Sequence, residues 1–464
     1  MTMIGIEVHC QLNTETKLFC GDASYSSIAG PNENTCPVCM GFPGYKPVIN
    51  KKALDYTILA GLAMRCSIAD VALFSRKTYF YPDLAKNYQI TQYEKPIAEK
   101  GELLINDQRI RIRRIHLEED PAQLVYNGSM ARSEYTMINY NRSGAPLIEI
   151  VTEPDFKSPK EVRLFLEKLS SILEHLGIYD PTRDASLRVD ANISTTGERV
   201  ELKNITGFEN VEKALAFEVV RQNGMARMGE AIQRETRHFD PSTGTTRKLR
   251  AKETEEDYGY IFDPDLPVIS ISREWADSIR KGMPELPDIR ISRFVSQYRL
   301  TEYEARVLVY YDKNLADFFE ECCRLHGSPK ELSGWISNYL IKSLNWRSER
   351  IRDSKARPET FVELLDMVDK GEITERYAKE LIKEYVDTGV SPRKLAGKGR
   401  MRVNQEELKT MIKKTLNEEV AAVEQLKSGR QQAMQFLIGK ILSLTGKQAD
   451  PKLIRDMIKA ELEN

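Results

Sequence analysis

Asn139-Tyr140-Asn141-Arg142-Ser143-Gly144-Ala145-Pro146-Leu147-Ile148-Glu149-Ile150-Val151-Thr152-Glu153-Pro154-Asp155 turns once and then runs straight. Gly144 and Pro146 punctuate the turn, and Leu147-Ile148-Glu149-Ile150-Val151 follows as a short apolar strand with one carboxylate at its centre. An ionised Glu among aliphatic and β-branched residues needs a partner, a metal or an open rim. An edge strand that turns Glu149 to water satisfies the same stretch, so the other strands of the chain have to decide.

Ile4-Gly5-Ile6-Glu7-Val8-His9-Cys10-Gln11-Leu12 alternates with period two. Ile4, Ile6, Val8, Cys10 and Leu12 share one face, and Glu7, His9 and Gln11 the other. Glu7 and His9, at i and i+2, can reach one ion or one ligand from a single strand. Ile110-Arg111-Ile112 alternates too, but Ile115 and Leu117 stand on the opposite parity, which predicts a bulge near Arg113-Arg114. Past it, His116 and Glu118 face away from Ile115 and Leu117, and Glu119-Asp120-Pro121 ends the strand. Leu187, Val189, Ala191 and Ile193 alternate with Arg188, Asp190 and Asn192, and Glu201 and Lys203 repeat the habit. Strands that agree in this way predict an α+β domain: helices back one sheet face, and the other is a concave polar surface suited to Mg²⁺ and phosphate.

Residues 51–64 form a predicted helix with Ala53, Leu54, Ile58, Leu59 and Leu62 on one stripe. Residues 156–177 form a second, with Ser158 as N-cap, Pro159 at N1, Glu161 completing a capping box and Gly177 closing it. Its stripe is Val162, Phe165, Leu166, Leu169, Leu173 and Leu176. Residues 233–265 look loop-rich and charged. After Pro284-Glu285-Leu286-Pro287 come helices without strands, at 305–318, 332–344, 361–368 and 377–385, then a basic hinge at 392–402. The expected domains are 1–285, with a metal-knuckle insertion at about 20–39, then 286–396 and 400–464.

Seven cysteines in 464 residues are too few for a disulfide framework, and their clustering points to a metal. Cys36-Pro37-Val38-Cys39, followed by Gly41, Pro43 and Gly44, is a knuckle pattern for zinc, and Cys20 supplies a third thiolate. The fourth ligand is Asp22 or Cys10. A net charge of -1 excludes an overall nucleic-acid or membrane-surface character, so any basic surface is local. No run of about 18 apolar residues and no signal-like segment occurs, which predicts a soluble, cytoplasmic protein. The local basic features are two. Lys77, Tyr81 and Lys86 lie in an aromatic loop suited to phosphates and stacked bases, and Lys427, Arg430, Lys440 and Lys447 stud a tail suited to an RNA backbone. Phosphate-loop, dinucleotide and His-Glu-x-x-His signatures are absent.

Gly5-Ile6-Glu7-Val8-His9, Cys36-Pro37-Val38-Cys39, Tyr79-Phe80-Tyr81-Pro82-Asp83, Ile115-His116-Leu117-Glu118-Glu119-Asp120, the stretch from Asn139 to Asp155 and Ser186-Leu187-Arg188-Val189-Asp190-Ala191-Asn192 follow in that order. Together they closely resemble the B-subunit family of the aspartyl/glutamyl-tRNA amidotransferases. The resemblance covers nearly the whole chain, down to Ala449-Asp450-Pro451. It implies a glutamine-synthetase-like catalytic cradle with a concave antiparallel sheet, then an all-helical domain and a small helical tail domain that touches the tRNA elbow.

The resemblance also implies an ATP- and Mg²⁺-dependent carbon-nitrogen ligase subunit, acting with an amidase A subunit and a small C subunit on Asp-tRNA(Asn) or Glu-tRNA(Gln). Phosphorylation by ATP replaces a poor leaving group on the side-chain carboxylate with a good one. Ammonia made from glutamine in the A subunit then yields the amide. On this resemblance Glu7, His9, Glu118 or Glu119, and Glu149 are catalytic Mg²⁺ and phosphate ligands, with strict alternation favouring Glu118. His116, Arg188, Asp190, Asn192 and Lys203, with Lys77, Tyr81 and Lys86, are candidates for ATP or the acceptor end. Zinc-binding members carry Cys-Gly-Cys where this chain has Cys20-Gly21-Asp22. The related archaeal E subunit is longer by an inserted domain, and nothing of that kind lies between Leu266 and Pro287. A scaffold that only delivers charged tRNA would explain the basic tail and the aromatic loop, but not carboxylates grouped on one sheet face.

Overall fold

The computed structural model describes residues 2–25, 28–127, 133–183, 186–251, 259–397, 405–427, 431–445, 449 and 451–463. They divide into two compact units, Met1–Pro287 and Asp288–Asn464.

The first unit carries the strands. In chain order they are β1 (Met3–Gln11), β2 (Ser67–Ile68), β3 (Val71–Ala72), β4 (Ser75–Thr78), β5 (Tyr88–Thr91), β6 (Ala98–Ile105), β7 (Gln108–Glu119) and β8 (Gln123–Tyr126). Then follow β9 (Thr136–Asn139), β10 (Pro146–Thr152), β11 (Leu187–Ser194), β12 (Val200–Ile205), β13 (Glu235–Asp240), β14 (Thr245–Ala251), β15 (Gly259–Phe262) and β16 (Ile269–Ser270). Nine of them form one sheet in the order β14-β13-β12-β11-β1-β10-β7-β6-β2. β1 therefore lies at its centre, between β10 and β11. A smaller sheet, β15-β4-β5, carries the aromatic loop segment.

The predicted faces hold. Ile4, Ile6, Val8, Cys10, Val189, Ala191 and Ile193 are all buried. α1 (Lys51–Ala63), α2 (Pro159–His175) and α3 (Phe208–Arg227) pack against strands of this sheet. In α2, Ser158 accepts from the Glu161 amide while the Glu161 carboxylate takes the amide of Lys157, one residue before the cap. The stripe Val162, Phe165, Leu166, Leu169 and Leu173 is fully buried, each side chain contributing roughly 1.5–3 kcal/mol of apolar burial. The bulge is also where alternation placed it: Val151 pairs with Arg114 and Thr152 with Ile112, so Arg113 is left over.

Two expectations for this unit need correction. Residues 233–265 are not a loop region: β13, β14 and β15 lie there, and β13 pairs parallel to β12, so the sheet is not wholly antiparallel. These strands lack an apolar alternation because ion pairs anchor them. Glu218 of α3 contacts Arg237 on β13 at 3.1 Å, and Arg237 contacts Glu235 at 2.9 Å. A short helix, α4 (Arg273–Lys281), closes the unit.

The second unit is helical: α5 (Pro287–Tyr298), α6 (Glu302–Tyr311), α7 (Lys313–Leu325), α8 (Pro329–Trp335), α9 (Ile341–Arg347), α10 (Pro358–Asp369), α11 (Glu375–Thr388) and α12 (Pro392–Ala396). The helix expected over 305–318 is two helices. Asp312 breaks it, extended at φ -165°, and its carboxylate caps α7 through the amide of Asn314. The helix expected over 332–344 is continuous only through a π-turn, Ile336–Leu340. Then come α13 (Gln405–Glu418), α14 (Val420–Lys427), α15 (Gln431–Leu444) and α16 (Pro451–Glu463), with an apolar cluster of their own that includes Leu408, Ile412, Leu437, Ile441, Ile454 and Ile458. The basic hinge residues Lys398, Arg400 and Arg402 lie outside the described residues. Among the described residues no helix is long and apolar enough to cross a membrane.

Candidate active site

The sheet register assembles the site. His9 pairs with Glu149 on one side and Arg188 on the other, and Glu149 pairs in turn with His116. One row across four strands is thus His116-Glu149-His9-Arg188. One step along the strands, Glu7 pairs with Asp190. Period-two alternation puts all of these on the face opposite Ile6 and Val8.

The first row is tightly coupled. His9 Nε2 and His116 Nε2 both lie 3.4 Å from Glu149 Oε2, and His116 Nε2 is 3.6 Å from Glu118 Oε2. Burial would push the Glu149 carboxyl up, but the His116 and His9 imidazoles hold it well below the usual carboxylate range. Burial would likewise lower His9; the hydrogen bond and charge of Glu149, with Asp190 and Glu118, raise it to about 9. His116 is raised against its burial by Glu149 and Glu118, and among the described residues its Nδ1 has no hydrogen-bond partner. His9, Glu118 and Glu149 each offer a ligand atom within 4.8 Å of the others.

A second group lies beside it. Glu7, Asp190 and Glu201 bring three carboxylate oxygens within 4.8 Å of one another. Lys203 contacts Asp190 at 2.6 Å and Glu201 at 3.1 Å, and Asn204 donates its amide to Asp190 at 2.8 Å. Burial, then the charges of Glu149 and Asp190, pushes the Glu7 carboxyl up, whereas Lys203 and His9 draw Asp190 down despite its burial. Asn192 reaches Glu7 at 3.3 Å. Both donor sets suit a hard divalent cation: three carboxylates in one, two carboxylates and an imidazole in the other. Of the residues expected as Mg²⁺ and phosphate ligands, His9, Glu118 and Glu149 lie in the first group and Glu7 in the second, which Glu201 joins.

Glu119 is in neither group. Its carboxylate binds Lys86 at 2.6 Å and accepts the Ile90 amide at 2.8 Å. Lys86 is accordingly committed to an ion pair. Glu118, by contrast, accepts from Thr91 at 2.9 Å and keeps its place beside His116. At the rim, Arg188 donates to Asp120 at 2.7 Å, and Arg142 meets the same carboxylate at 3.3 Å. Sequence reasoning passed over Asp120 and Arg142 as site residues. Arg142 lies outside the strand alternation and follows Tyr140, whose hydroxyl bonds the Pro82 carbonyl. In the aromatic loop, Lys77 stands over the Tyr79 ring at 5.7 Å, and Tyr81 and Phe80 are exposed.

The knuckle gathers Cys20, Asp22, Cys36 and Cys39 with ligand atoms within 4.8 Å of one another. Cys39 Sγ lies 3.4 Å from Asp22 Oδ2, accepts the Cys36 amide at 3.2 Å and faces the buried Lys17 ammonium at 3.6 Å. A hydrogen bond from Cys20, aided by the Cys36 amide and Lys17, lowers the Cys39 thiol to about 6, so thiolate is accessible at neutral pH. Three sulfurs and a carboxylate fit zinc. Cys10 is corrected: it lies fully buried on the apolar face of β1, where burial alone raises its thiol, and takes no part in the knuckle. The knuckle abuts the turn before β10, since a Cβ added at Gly144 (φ +85°) would stand 3.4 Å from Cys39 Cβ, and the Gly144 carbonyl accepts the Leu18 amide. Of the tail candidates, Lys440 pairs with Glu419. Arg430 and Lys447, with the side chain of Lys427, lie outside the described residues.

Known proteins share this chain over its whole length. A family model described as the GatB/GatE catalytic domain matches residues 2–277, and one described as the GatB domain matches residues 317–462. The chain is 46% identical to the B subunit of an aspartyl/glutamyl-tRNA(Asn/Gln) amidotransferase of Saccharolobus solfataricus, covering 100% of this chain and 99% of that protein. It is 43% identical to the namesake of Methanospirillum hungatei (100% and 98%) and 42% to that of Thermodesulfovibrio yellowstonii (98% and 98%).

Proposed function

The chain belongs to the family of aspartyl/glutamyl-tRNA(Asn/Gln) amidotransferase B subunits, and from that premise we propose that its polar sheet face is the site where a tRNA-borne carboxylate is activated by ATP. It is a subunit of a tRNA-dependent, ligase-type transamidation enzyme. The observation that carries the reading of the face is the pairing of two donor groups, His9-Glu118-Glu149 and Glu7-Asp190-Glu201, side by side on adjacent strands. A scaffold that only delivered tRNA would gain nothing from so costly a concentration of buried charge.

His9, Glu118 and Glu149 would hold one Mg²⁺, and Glu7, Asp190 and Glu201 a second. Bound there, the ions would neutralise and align the phosphates of ATP. Lys203 balances the second acid group before any ion arrives. Arg188, fixed by Asp120, presents a guanidinium next to His9 in the register, placed for the transferring phosphoryl group or the acceptor end. The substrate carboxylate attacks the γ-phosphorus, ADP leaves, and the resulting acyl phosphate is open to ammonia, which expels phosphate and leaves the amide. The ammonia would come from a glutaminase-type A subunit in a heterotrimer with a small C subunit. The strands would correspond to a glutamine-synthetase-like cradle, with zinc at the knuckle and the tail helices on the tRNA.

Hydroxylamine supplied in place of ammonia tests the chemistry, because an acyl phosphate is trapped as a hydroxamate on the tRNA. Its formation must require ATP, and a complex that turns over normally yet forms none would sink the step. Deletion of residues 400–464 tests the tail: weaker tRNA binding is expected, and unchanged affinity rejects that contact.

A further inference from the structure

The C-terminal unit holds a cluster that this chemistry does not use. His326 follows the last turn of α7, Glu331 lies in the first turn of α8, and Asp366 and Asp369 stand in the last turn of α10. The His326 side chain is 10% exposed. Its Nδ1 lies 3.3 Å from Asp366 Oδ1, and its Nε2 lies 3.7 Å from Asp369 Oδ2. That second approach is too long for a hydrogen bond. Among the described residues Nε2 is buried without a hydrogen-bond partner, and ligand atoms of His326, Glu331 and Asp369 lie within 4.8 Å of one another.

Two physical features point the same way. A buried ring nitrogen left unpartnered carries its desolvation cost uncompensated, so its lone pair or proton needs an occupant. α10 also sets two carboxylates at the negative end of its dipole with no basic residue in that turn, although Lys370 just beyond reaches Asp366 at 3.7 Å. A cation is what the place lacks. Asp366 has the position of the carboxylate that accepts Nδ1–H behind a metal-bound imidazole, which leaves the Nε2 lone pair aimed at Glu331 and Asp369.

We propose that His326 Nε2, Glu331 and Asp369 form a divalent-metal site of the zinc class, with Asp366 as a positioning residue that orients the imidazole. One imidazole and two carboxylates, with a fourth place for water, are a donor set that Zn²⁺ takes, and this cluster has none of the nucleotide phosphate oxygens that would complete a Mg²⁺ octahedron at the sheet face. The separation of Nε2 and Asp369 Oδ2 is close to the roughly 3.4 Å edge of a tetrahedron around such an ion. The ion would clip the α7–α8 connection to the end of α10. All of its residues belong to the C-terminal unit, and none is a residue of the sheet face or of the cysteine knuckle.

Zn²⁺ alone is the probe, used on the full chain. Crystals grown with Zn²⁺ and measured at the zinc edge should show an anomalous peak about 2.0–2.1 Å from His326 Nε2. Equilibrium dialysis should count one Zn²⁺ fewer per chain for His326→Gln and for Asp369→Asn. Asp369 has a side chain 46% exposed, so Asp369→Asn keeps the test valid if His326→Gln fails to fold. Asp366→Asn should retain the site and weaken Zn²⁺ binding about 10–100-fold. The absence of a peak at His326, or a zinc count in Asp369→Asn equal to that of the unaltered chain, overturns the proposal.

Discussion

His9 and Glu149 stand opposite each other where β1 meets β10, with 3.4 Å between Nε2 and Oε2. A second imidazole, His116, closes on the same oxygen from β7, so one carboxylate anchors two bases at the centre of the sheet. Glu149→Gln keeps the shape and removes the charge. Transamidation should fall by at least about 10²–10³-fold, while the Kd for charged tRNA stays where it is. A filter-binding assay on the reconstituted complex separates the two, and loss of tRNA affinity in step with activity would refute the assignment.

Lys203 reaches both Asp190 and Glu201, which with Glu7 crowd three acids together. Lys203→Met should lower the unfolding free energy by about 2 kcal/mol in chelator, a figure reduced from that of a fully buried pair because the side chain is 34% exposed. Added Mg²⁺ should restore most of the loss if these acids hold an ion. Denaturant unfolding with and without Mg²⁺ reads this directly, and an identical deficit in both would argue that they hold none.

The edge of the sheet should be sensitive to acid. Burial would raise the Glu218 carboxyl, but Arg221, Thr246 and Gln222 draw it below its ordinary 4.5. Its folded pKa is lower than its unfolded one, so the stabilisation is complete above pH 4.5 and drains away as pH falls through the folded value. Glu218→Gln should cost about 3 kcal/mol at pH 7, and the difference from the unaltered protein should shrink on acidification below pH 4.5. Urea melts at several pH values test this; a difference independent of pH would assign the effect to packing alone.

The knuckle offers a gain of function. Asp22 sits where a fourth thiolate would complete a tetrahedral sulfur site, 3.4 Å from Cys39 Sγ. Asp22→Cys should hold zinc against a chelator longer than the unaltered chain, and Asp22→Ala should lose it faster. Zinc release followed with a colorimetric chelator ranks the three, and equal rates would remove Asp22 from the ligand set.

How much of this was legible beforehand depends on what each element buries. β1, β7, β10 and β11 put apolar side chains on one face and polar ones on the other, so parity alone sorted Ile6 from Glu7 and located the extra residue near Arg113-Arg114. β13 and β14 bury few apolar side chains and rest on Arg237, Glu235 and Glu218 instead, so no period-two pattern announced them. Helix periodicity likewise passed straight through Asp312, because only its backbone angle and cap reveal the break. At the site, parity showed that Glu201 faces the polar side. That it meets Glu7 and Asp190 depends on strand order and on the irregular pairing between β11 and β12, neither of which is written in local spacing. The choice between Glu118 and Glu119 was open by resemblance, and Lys86 separates them by occupying Glu119. His326, Glu331 and Asp369 come from three helix ends with no motif to connect them.

The most direct measurement is γ-phosphate release from ATP by the reconstituted complex, with glutamine withheld and Asp-tRNA(Asn) and Glu-tRNA(Gln) supplied separately. Release should require one of the charged tRNAs and should vanish in Glu149→Gln. An assembled complex that binds charged tRNA but releases no phosphate in response to it would contradict carboxylate activation on this sheet face.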